Sequence, residues 1–323
     1  MRAMAQRSWK AGERLELVEL PTPEPRKGEV RVGVRAAGVN PIDWKMRSYG
    51  PLRLAGRVLG PRPPVVVGMD FAGVVDAVGP GVTGFAPGDR VVGGTDFSRR
   101  QRGSYADSVV VRADQLCPVP DSVDLTVAAA LPVSGVTARM AVVELGRIRR
   151  VQPAERRVLV LGASGAVGQF AVQIARSEGA FTVGVCSARN TELVGGLGAD
   201  AVIDYGSGDA LAQARAHGPF HLVIDCVGGY SAAGCRALLS ARGLHIMVAG
   251  DDPASLLQLL VAPRRSRSIL GRPTGRRLEP LVAAVADGSL RVSLAQTLPL
   301  TEAEEAHRLS RSGRMTGKLI LLP

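Results

Sequence analysis

The sequence predicts an α/β chain in which a mainly β lobe is interrupted by a doubly wound parallel sheet. Three observations predict it. Residues 1–125 carry short Val-rich runs punctuated by Gly and Pro, which is how short strands joined by tight turns read. Beyond about residue 150, apolar runs alternate with helical periods, the pattern of a parallel sheet covered by helices on both faces. Within that stretch, VLVLGASGAVG (158–168) is an apolar run that ends in a glycine-rich turn, with a helical pattern directly after it.

In chain order, EVRVGVRAAGV, PPVVVGMDFAGVVDAVG, GDRVVGG and YADSVVVRAD each supply a β-like run between turn signals. From about residue 126 the pattern changes, and LTVAAALPVSGVTARMAVVELGRI reads as helical pieces joined at Pro132–Gly135. Strands are then expected at 157–161, 181–186, 201–204, 221–226 and 243–249, with helices at 166–178, 190–197, 209–216 and 230–240. The first of these helices repeats apolar residues at Val167, Phe170, Ala171, Ile174 and Ala175 and stops at Gly179. RSRSILGRP reads as a further strand, and a helix over 276–287 and the strand GKLILLP follow. The expected domains are 1–125, 126–263, and a return of 264–323 to the first lobe, since that tail is too short to stand alone.

Composition excludes several classes. The chain is 46% hydrophobic, which places it among globular rather than disordered sequences. No apolar stretch reaches the length of a membrane span, and MRAMAQRSWKAGERLELVEL lacks the apolar core of a signal peptide, so a cytoplasmic protein with no membrane partner is expected. Cys117, Cys186, Cys226 and Cys235 are scattered without a CxxC pair and read as buried thiols. The net charge of +11 admits an anionic partner, but only four of the 40 basic residues are Lys, a skew that reads as a compositional habit. With 4% aromatic residues, base-stacking platforms are scarce and no nucleic-acid partner is expected.

In the glycine turn, Gly162, Gly165 and Gly168 stand three apart. Such a turn lets backbone N–H groups approach a pyrophosphate at a helix N-terminus, where the dipole favours negative charge. The expected contacts are Gly162, Ala163, Ser164, Gly165, Ala166 and Val167. Where the second strand ends, VGVCSARN offers Cys186, Ser187, Arg189 and Asn190 and no acid to hold a ribose 2′-OH. A hydroxyl, a guanidinium and an amide suit a 2′-phosphate, so NADPH is expected rather than NADH. Later strand ends would line the same crevice through Tyr205, Cys226, Val227, Ala249 and Gly250. Asp225, just before Cys226, reads as a loop-fixing carboxylate.

Together these motifs resemble the zinc-independent quinone oxidoreductase-like branch of the medium-chain dehydrogenase/reductase superfamily. The resemblance spans nearly the whole chain: RAAGVNPIDWK, GMDFAGVVDAVGPGVTGFAPGDRVVG, LPVSGVTA, VLVLGASGAVGQFAVQIARSEGA, GADAVIDY, VIDCVGG and AHRLSRSGRMTGKLIL occur in order. It implies a GroES-like β domain broken by a Rossmann domain, an active site in the cleft between them, NADPH-dependent hydride transfer to quinones or electrophilic double bonds, and a homodimer. Zinc-dependent relatives place a Cys where Asn40 stands and a His where Met69 stands. An amide and a thioether are poor replacements at a Zn²⁺ site, and no His precedes His217, so no metal is expected.

The resemblance puts RAAGVNPIDWK toward the nicotinamide. Asn40 and Pro41 join the expected cofactor contacts, and Asn40, Asp43, Lys45 and Tyr49 form the expected catalytic set. Asn40 would bond the ribose or an acceptor carbonyl, and Lys45 would polarise a carbonyl or hold the ribose. Asp43 would orient Lys45 or simply cap the helix, and Tyr49 would donate a proton. Ser134 and Thr137 fall where the family places the nicotinamide face, with an N-cap as the other role for Ser134. Lys318, one of the four lysines, resembles the family's C-terminal GK step and would approach the cofactor. The expected activity is reduction of a quinone or activated C=C bond (enone or enoyl). A trans-acting enoyl thioester reductase and a non-catalytic NADPH-binding structural or sensor protein are the alternatives. A third, an RNA-binding role, predicts affinity that falls steeply with salt.

Overall fold

Alternation and turn chemistry build the first lobe. In the strand Glu29–Gly38, Val30, Val32 and Val34 are buried while their neighbours are more exposed, so one face meets the core. The computed structural model describes residues 1–48, 50–248, 265–269 and 271–323. The chain divides into two units, Met1–Val136 with Arg272–Pro323, and Thr137–Gly271.

Unit 1 contains β1 (Arg2–Gln6), β2 (Glu16–Glu19), β3 (Glu29–Gly38), β4 (Val65–Val66), β5 (Asp70–Val78), β6 (Arg90–Gly94), β7 (Ser108–Arg112) and β8 (Leu116–Pro118). Unit 2 contains β9 (Arg157–Leu161), β10 (Phe181–Cys186), β11 (Ala201–Asp204), β12 (Phe220–Asp225), β13 (Leu239–Met247) and β14 (Ser266–Ser268). The chain then returns to unit 1 with β15 (Leu294–Pro299) and β16 (Lys318–Leu322).

The larger sheet of unit 1 runs β15-β16-β3-β5-β6-β8, with β7 also paired to β3, and β2-β1-β4 form a smaller sheet. Its core joins Val30, Val32, Phe71, Val91, Val109 and Val111 to Leu319 and Leu321. β16 pairs antiparallel with β3 through Ile320 opposite Gly38 and Leu321 opposite Ala37, which brings Lys318 beside the segment after Gly38. Residues 126–136, expected with the second domain, belong to unit 1 because Leu131 is fully buried there and the Val133 N–H donates to Asp70 Oδ1 at 3.0 Å. The helical piece expected there is a short helix, Leu125–Ala128, followed by a wide turn of helix over Leu131–Gly135.

Unit 2 is a parallel sheet in the order β11-β10-β9-β12-β13-β14, which is 3-2-1-4-5-6 in the unit's own strand numbering. Val158, Leu159, Val160 and Leu161 of the central β9 are all fully buried, as a strand covered on both faces requires. The helix after the glycine turn spans Gly168–Ser177, two residues later than expected, because 162–167 form the turn itself. β13 begins at Leu239, four residues early, with a register break between Phe220 and Leu222 of its partner. Among the described residues of RSRSILGRP, Ser266–Ser268 pairs as a strand.

Candidate functional site

In unit 1, β3 ends at Gly38 and a helix starts at Pro41. Asn40 precedes the helix and Asp43 lies in its first turn. The Asp43 carboxylate reaches back to accept the Asn40 N–H at 2.8 Å, while the Asp43 N–H donates to the Asn40 carbonyl at 3.0 Å. This is the acidic half of a capping box, and it fixes the turn between strand and helix.

Lys318 enters from β16. Its ammonium donates to Asn40 Oδ1 at 2.5 Å, Asp70 Oδ2 at 2.9 Å and Ser134 Oγ at 3.1 Å. All three N–H donors are therefore engaged within unit 1. Lys318, Asn40, Asp70 and Ser134 are each no more than 1% exposed. A Cβ at Gly38 would fall 3.0 Å from Lys318 Cε and 2.5 Å from the Ala129 carbonyl oxygen, so only glycine lets the lysine stem pass. Burial raises the Asp70 carboxyl above its ordinary range, while Lys318, the Asn40 amide and the Val133 N–H hold its charged form.

A second chain of polar groups backs the first. The Tyr105 hydroxyl donates to Asp43 Oδ2 at 3.1 Å. His307 Nε2 lies 3.4 Å from that hydroxyl, and Arg47 Nη1 lies 2.9 Å from His307 Nδ1. A guanidinium only donates, so Nδ1 must accept and Nε2 carries the proton. The bonds thus run in one direction: Arg47 to His307, His307 to Tyr105, Tyr105 to Asp43. Burial, with Arg47 second, pushes His307 down to about 3 and keeps it neutral. Arg47 is anchored in turn by Glu304 at 2.5 Å and the Glu13 carbonyl at 2.7 Å. Burial also pushes Asp43 up to about 7, and among the described residues its Oδ1 has no hydrogen-bond partner.

Several expectations change here. Asn40 was expected to touch ribose or acceptor, but its amide oxygen holds the ammonium. Lys318 was expected to approach the cofactor, but its donors are all engaged. Ser134 is not an N-cap; it lies inside the wide turn and accepts from Lys318. Lys45 cannot pair face to face with Asp43, because residues two apart project to opposite sides of a helix. Its ammonium lies 5.5 Å from the Trp44 ring centre. Pro41 is exposed at the helix start. Tyr49, Ala249 and Gly250 lie outside the described residues. Asp70, Arg47, Tyr105 and His307 were not expected. The one signal for Asp70 is a lone acid in the apolar run VVVGMDFAG.

In unit 2, Gly162 adopts a φ of +78°, and a Cβ there would stand 2.8 Å from Val227 Cγ2. A Cβ at Gly168 would stand 2.8 Å from Ala163 Cα. These glycines let the turn close tightly on itself. Among the described residues, the Ala166 and Val167 N–H groups find no backbone acceptor, which leaves donors at the helix N-terminus for a phosphate. The turn thus fits a dinucleotide. Ala163 is buried in it, and Gly165 and Gly162 are closed by a 3.1 Å backbone bond.

At the end of β10, Cys186 is buried, Ser187 is half-buried and Arg189 is exposed. Asn190 was expected at the 2′-phosphate, but it is buried and its amide donates to Ser164 Oγ at 2.9 Å and Ser187 Oγ at 3.3 Å. It clamps the glycine turn to the β10 end. Asp225 Oδ1 accepts the Val227 and Gly228 N–H groups, each at 2.9 Å, and holds that loop. Val227 and Tyr205 are exposed, Cys226 is half-buried, and Thr137 is buried in unit 2.

A family model described as zinc-binding dehydrogenase matches residues 197–321, and one described as alcohol dehydrogenase GroES-like domain matches residues 26–121. The chloroplast envelope quinone oxidoreductase homolog of Arabidopsis thaliana is 32% identical over 96% of this chain and 94% of that protein. The human mitochondrial NAD(P)H oxidoreductase RTN4IP1 is 32% identical over 91% of this chain and 81% of that protein. Among solved structures, the quinone oxidoreductase from Coxiella burnetii matches with a TM-score of 0.87 and 29% identity, covering 100% of this chain and 99% of that one. No helix among the described residues is long and apolar enough to cross a membrane.

Proposed function

Because the chain belongs to the medium-chain dehydrogenase/reductase superfamily, in its quinone oxidoreductase-like branch, we propose that it reduces a quinone or an activated C=C bond with NADPH and without zinc. Nicotinamide-dependent redox chemistry comes with that membership. The finer reading is carried by one observation: the oxygens of Asn40, Asp70 and Ser134 already surround an ammonium. A zinc ion beside them would meet that positive charge, an amide oxygen already in use, and the Met69 thioether. Met69 packs with Phe97 and Val133 in an apolar cluster. The donor set does not suit the metal.

This arrangement favours some hydride acceptors over others. Oxidising an alcohol requires loss of an O–H proton, which a Lewis acid makes easy. A quinone, enone or enoyl thioester accepts hydride at an electron-poor atom and spreads the charge onto its oxygen, so it makes a smaller demand. Bound NADPH would supply the hydride, and one proton from solvent would complete the reduction. Asn40, Asp43 and Lys318 act as a rigid base that fixes the strand-to-helix turn. The exposed start of that helix would face the acceptor.

NADPH is supported by the acid-free end of β10, where Ser187 and Arg189 follow Cys186. A 2′-phosphate there would meet a hydroxyl and a guanidinium rather than a repelling carboxylate. The test is steady-state oxidation of NADPH and NADH with a panel of quinones, enones and enoyl thioesters on metal-analysed protein. Turnover that needs added zinc, or no turnover with any acceptor, overturns the reading.

A further inference from the structure

Unit 1 carries two adjoining pockets of about 570 and 580 Å³ that share Pro61, Arg62, Pro63 and Arg100. Lys10 and Arg57 line the first, and Arg26 and Arg102 line the second. Among the described residues no carboxylate lines either pocket. Among the described residues, none of these six cationic side chains forms an ion pair or side-chain hydrogen bond. By contrast, Arg2, Arg31, Arg47, Arg149, Arg176 and Arg308 are all paired to acids. The neighbouring Arg99 is paired as well, to Asp96 at 3.5 Å. So of the three arginines between Arg99 and Arg102, one is neutralised and the other two are turned to the pockets. Arg100 holds this position with a φ of +58°, in the left-handed region that a non-glycine residue rarely adopts. Six unneutralised cations around one concavity repel each other, and that repulsion is relieved by a multiply charged anion.

The wall of the first pocket is aromatic. The Trp9 indole N–H donates to the Pro61 carbonyl at 3.2 Å, and its ring lies on Gly56 and Gly60, where a Cβ would fall 2.6 and 2.9 Å from ring carbons. A flat, fixed indole beside cations suits a phosphate attached to a planar base. The helix Gly50–Leu59 beneath it packs on the helix Pro41–Ser48 and on the Phe97–Arg99 turn. Phe97 in turn joins Met69, Val133, Ile42 and Met46 in one apolar cluster. The charged pockets are therefore tied, within unit 1, through that helix and the Phe97–Arg99 turn to a buried apolar cluster beside the Asn40 helix.

We infer that these pockets anchor the acceptor's handle: the substrate is an acyl thioester whose carrier arm ends in a nucleoside bisphosphate. This rests on the reading of the acceptor as an activated C=C bond. The two pockets take the phosphates, Trp9 takes the base, and the uncharged arm carries its apolar acyl end toward Met69 and Phe97.

The test uses NADPH-saturated protein, which removes the cofactor's own phosphate sites from competition. Adenosine 3′,5′-bisphosphate is titrated by calorimetry into wild type and an Arg62→Ala, Arg100→Ala double variant. Binding weakened about tenfold or more by the double variant is expected. No binding, or equal binding by both proteins, overturns the inference. Kinetics then compare crotonyl-coenzyme A with its N-acetylcysteamine thioester, which lacks phosphate. The double variant is expected to raise KM about tenfold for the first and less than about twofold for the second. Reduction of the short thioester without bisphosphate binding sinks the anchor and leaves the proposed activity standing. Bisphosphate binding with no reduction of either thioester sinks the activity toward this acceptor class, and the handle role with it. Binding to anionic phospholipid vesicles that is lost in a Leu54→Asp, Val58→Asp variant, with no bisphosphate binding, would assign the cations to lipid headgroups and overturn the inference.

Discussion

Asp43→Asn should stabilise the protein at pH 8 and change little at pH 4. Asp43 is fully buried, and burial pushes its carboxyl from an ordinary 3.8 to about 7, against the lowering effect of the Asn40 N–H, Lys318 and Tyr105. A raised carboxyl means that the folded chain keeps its proton while the unfolded chain has released it. The stability tied to that proton is fully present below about pH 4 and is lost as pH rises toward 7. Moving a carboxyl from 3.8 to about 7 corresponds to ~4 kcal/mol, an upper figure for a group with hydrogen-bond donors nearby. An asparagine can accept the Asn40 and Tyr105 bonds with its oxygen and cannot ionise. Urea unfolding of both proteins at half-unit steps from pH 4 to 8 gives the difference directly. The variant should gain on wild type by about 1.4 kcal/mol per pH unit between about pH 4 and 7 and hold that gain level from 7 to 8. Two parallel stability curves would refute the reasoning. So would a variant that is weakened most at high pH, which would mean that the charged carboxylate is the stabilising form.

Lys318→Met should cost about 3–5 kcal/mol by urea unfolding, since it leaves the Asp70 carboxylate buried without its cation; adding Asp70→Asn should restore much of that loss. A Lys318→Met protein as stable as wild type would show that the pair is replaceable. Arg189→Ala should raise KM for NADPH about tenfold and leave KM for NADH nearly unchanged, and equal effects on both would remove Arg189 from the 2′-phosphate. Gly168→Ala should abolish NADPH binding followed by fluorescence, because the added methyl meets the Gly162 carbonyl and Ala163 where the turn closes. Retained binding would show that the turn opens without penalty.

The glycine turn was readable because its signal is local: β9, Gly162, Gly168 and the helix face all lie within about twenty residues of sequence. The acid-free end of β10 was readable for the same reason. The polar centre of unit 1 was not. Its partners are 248 residues apart for Lys318 and Asp70, 260 for Arg47 and His307, and 62 for Tyr105 and Asp43. The helix cap by Asp43 was legible because Asn40 stands only three residues away, whereas Asn40, Ser134 and Lys318 each read as a contact with ligand, because nothing local shows that these three meet one another. Asn190 was misjudged in the same way: its amide turns inward to Ser164, 26 residues back. The strands β1 and β2 escaped notice because they are short, and β2 has no buried residue to set an alternation.

The pairing of β16 with β3 sets an order on biosynthesis. The carboxylate of Asp70 and the amide of Asn40 leave the ribosome long before Lys318 does, with the whole of Thr137–Gly271 made in between. That inserted unit has all its strands in one continuous stretch and can mature while translation continues. The flanking unit must wait with its interior acid lacking a counter-ion and one seam of its sheet open. Nascent chains stalled between residues 272 and 317 should therefore hold a protease-resistant middle and a protease-sensitive segment over Met1–Val136.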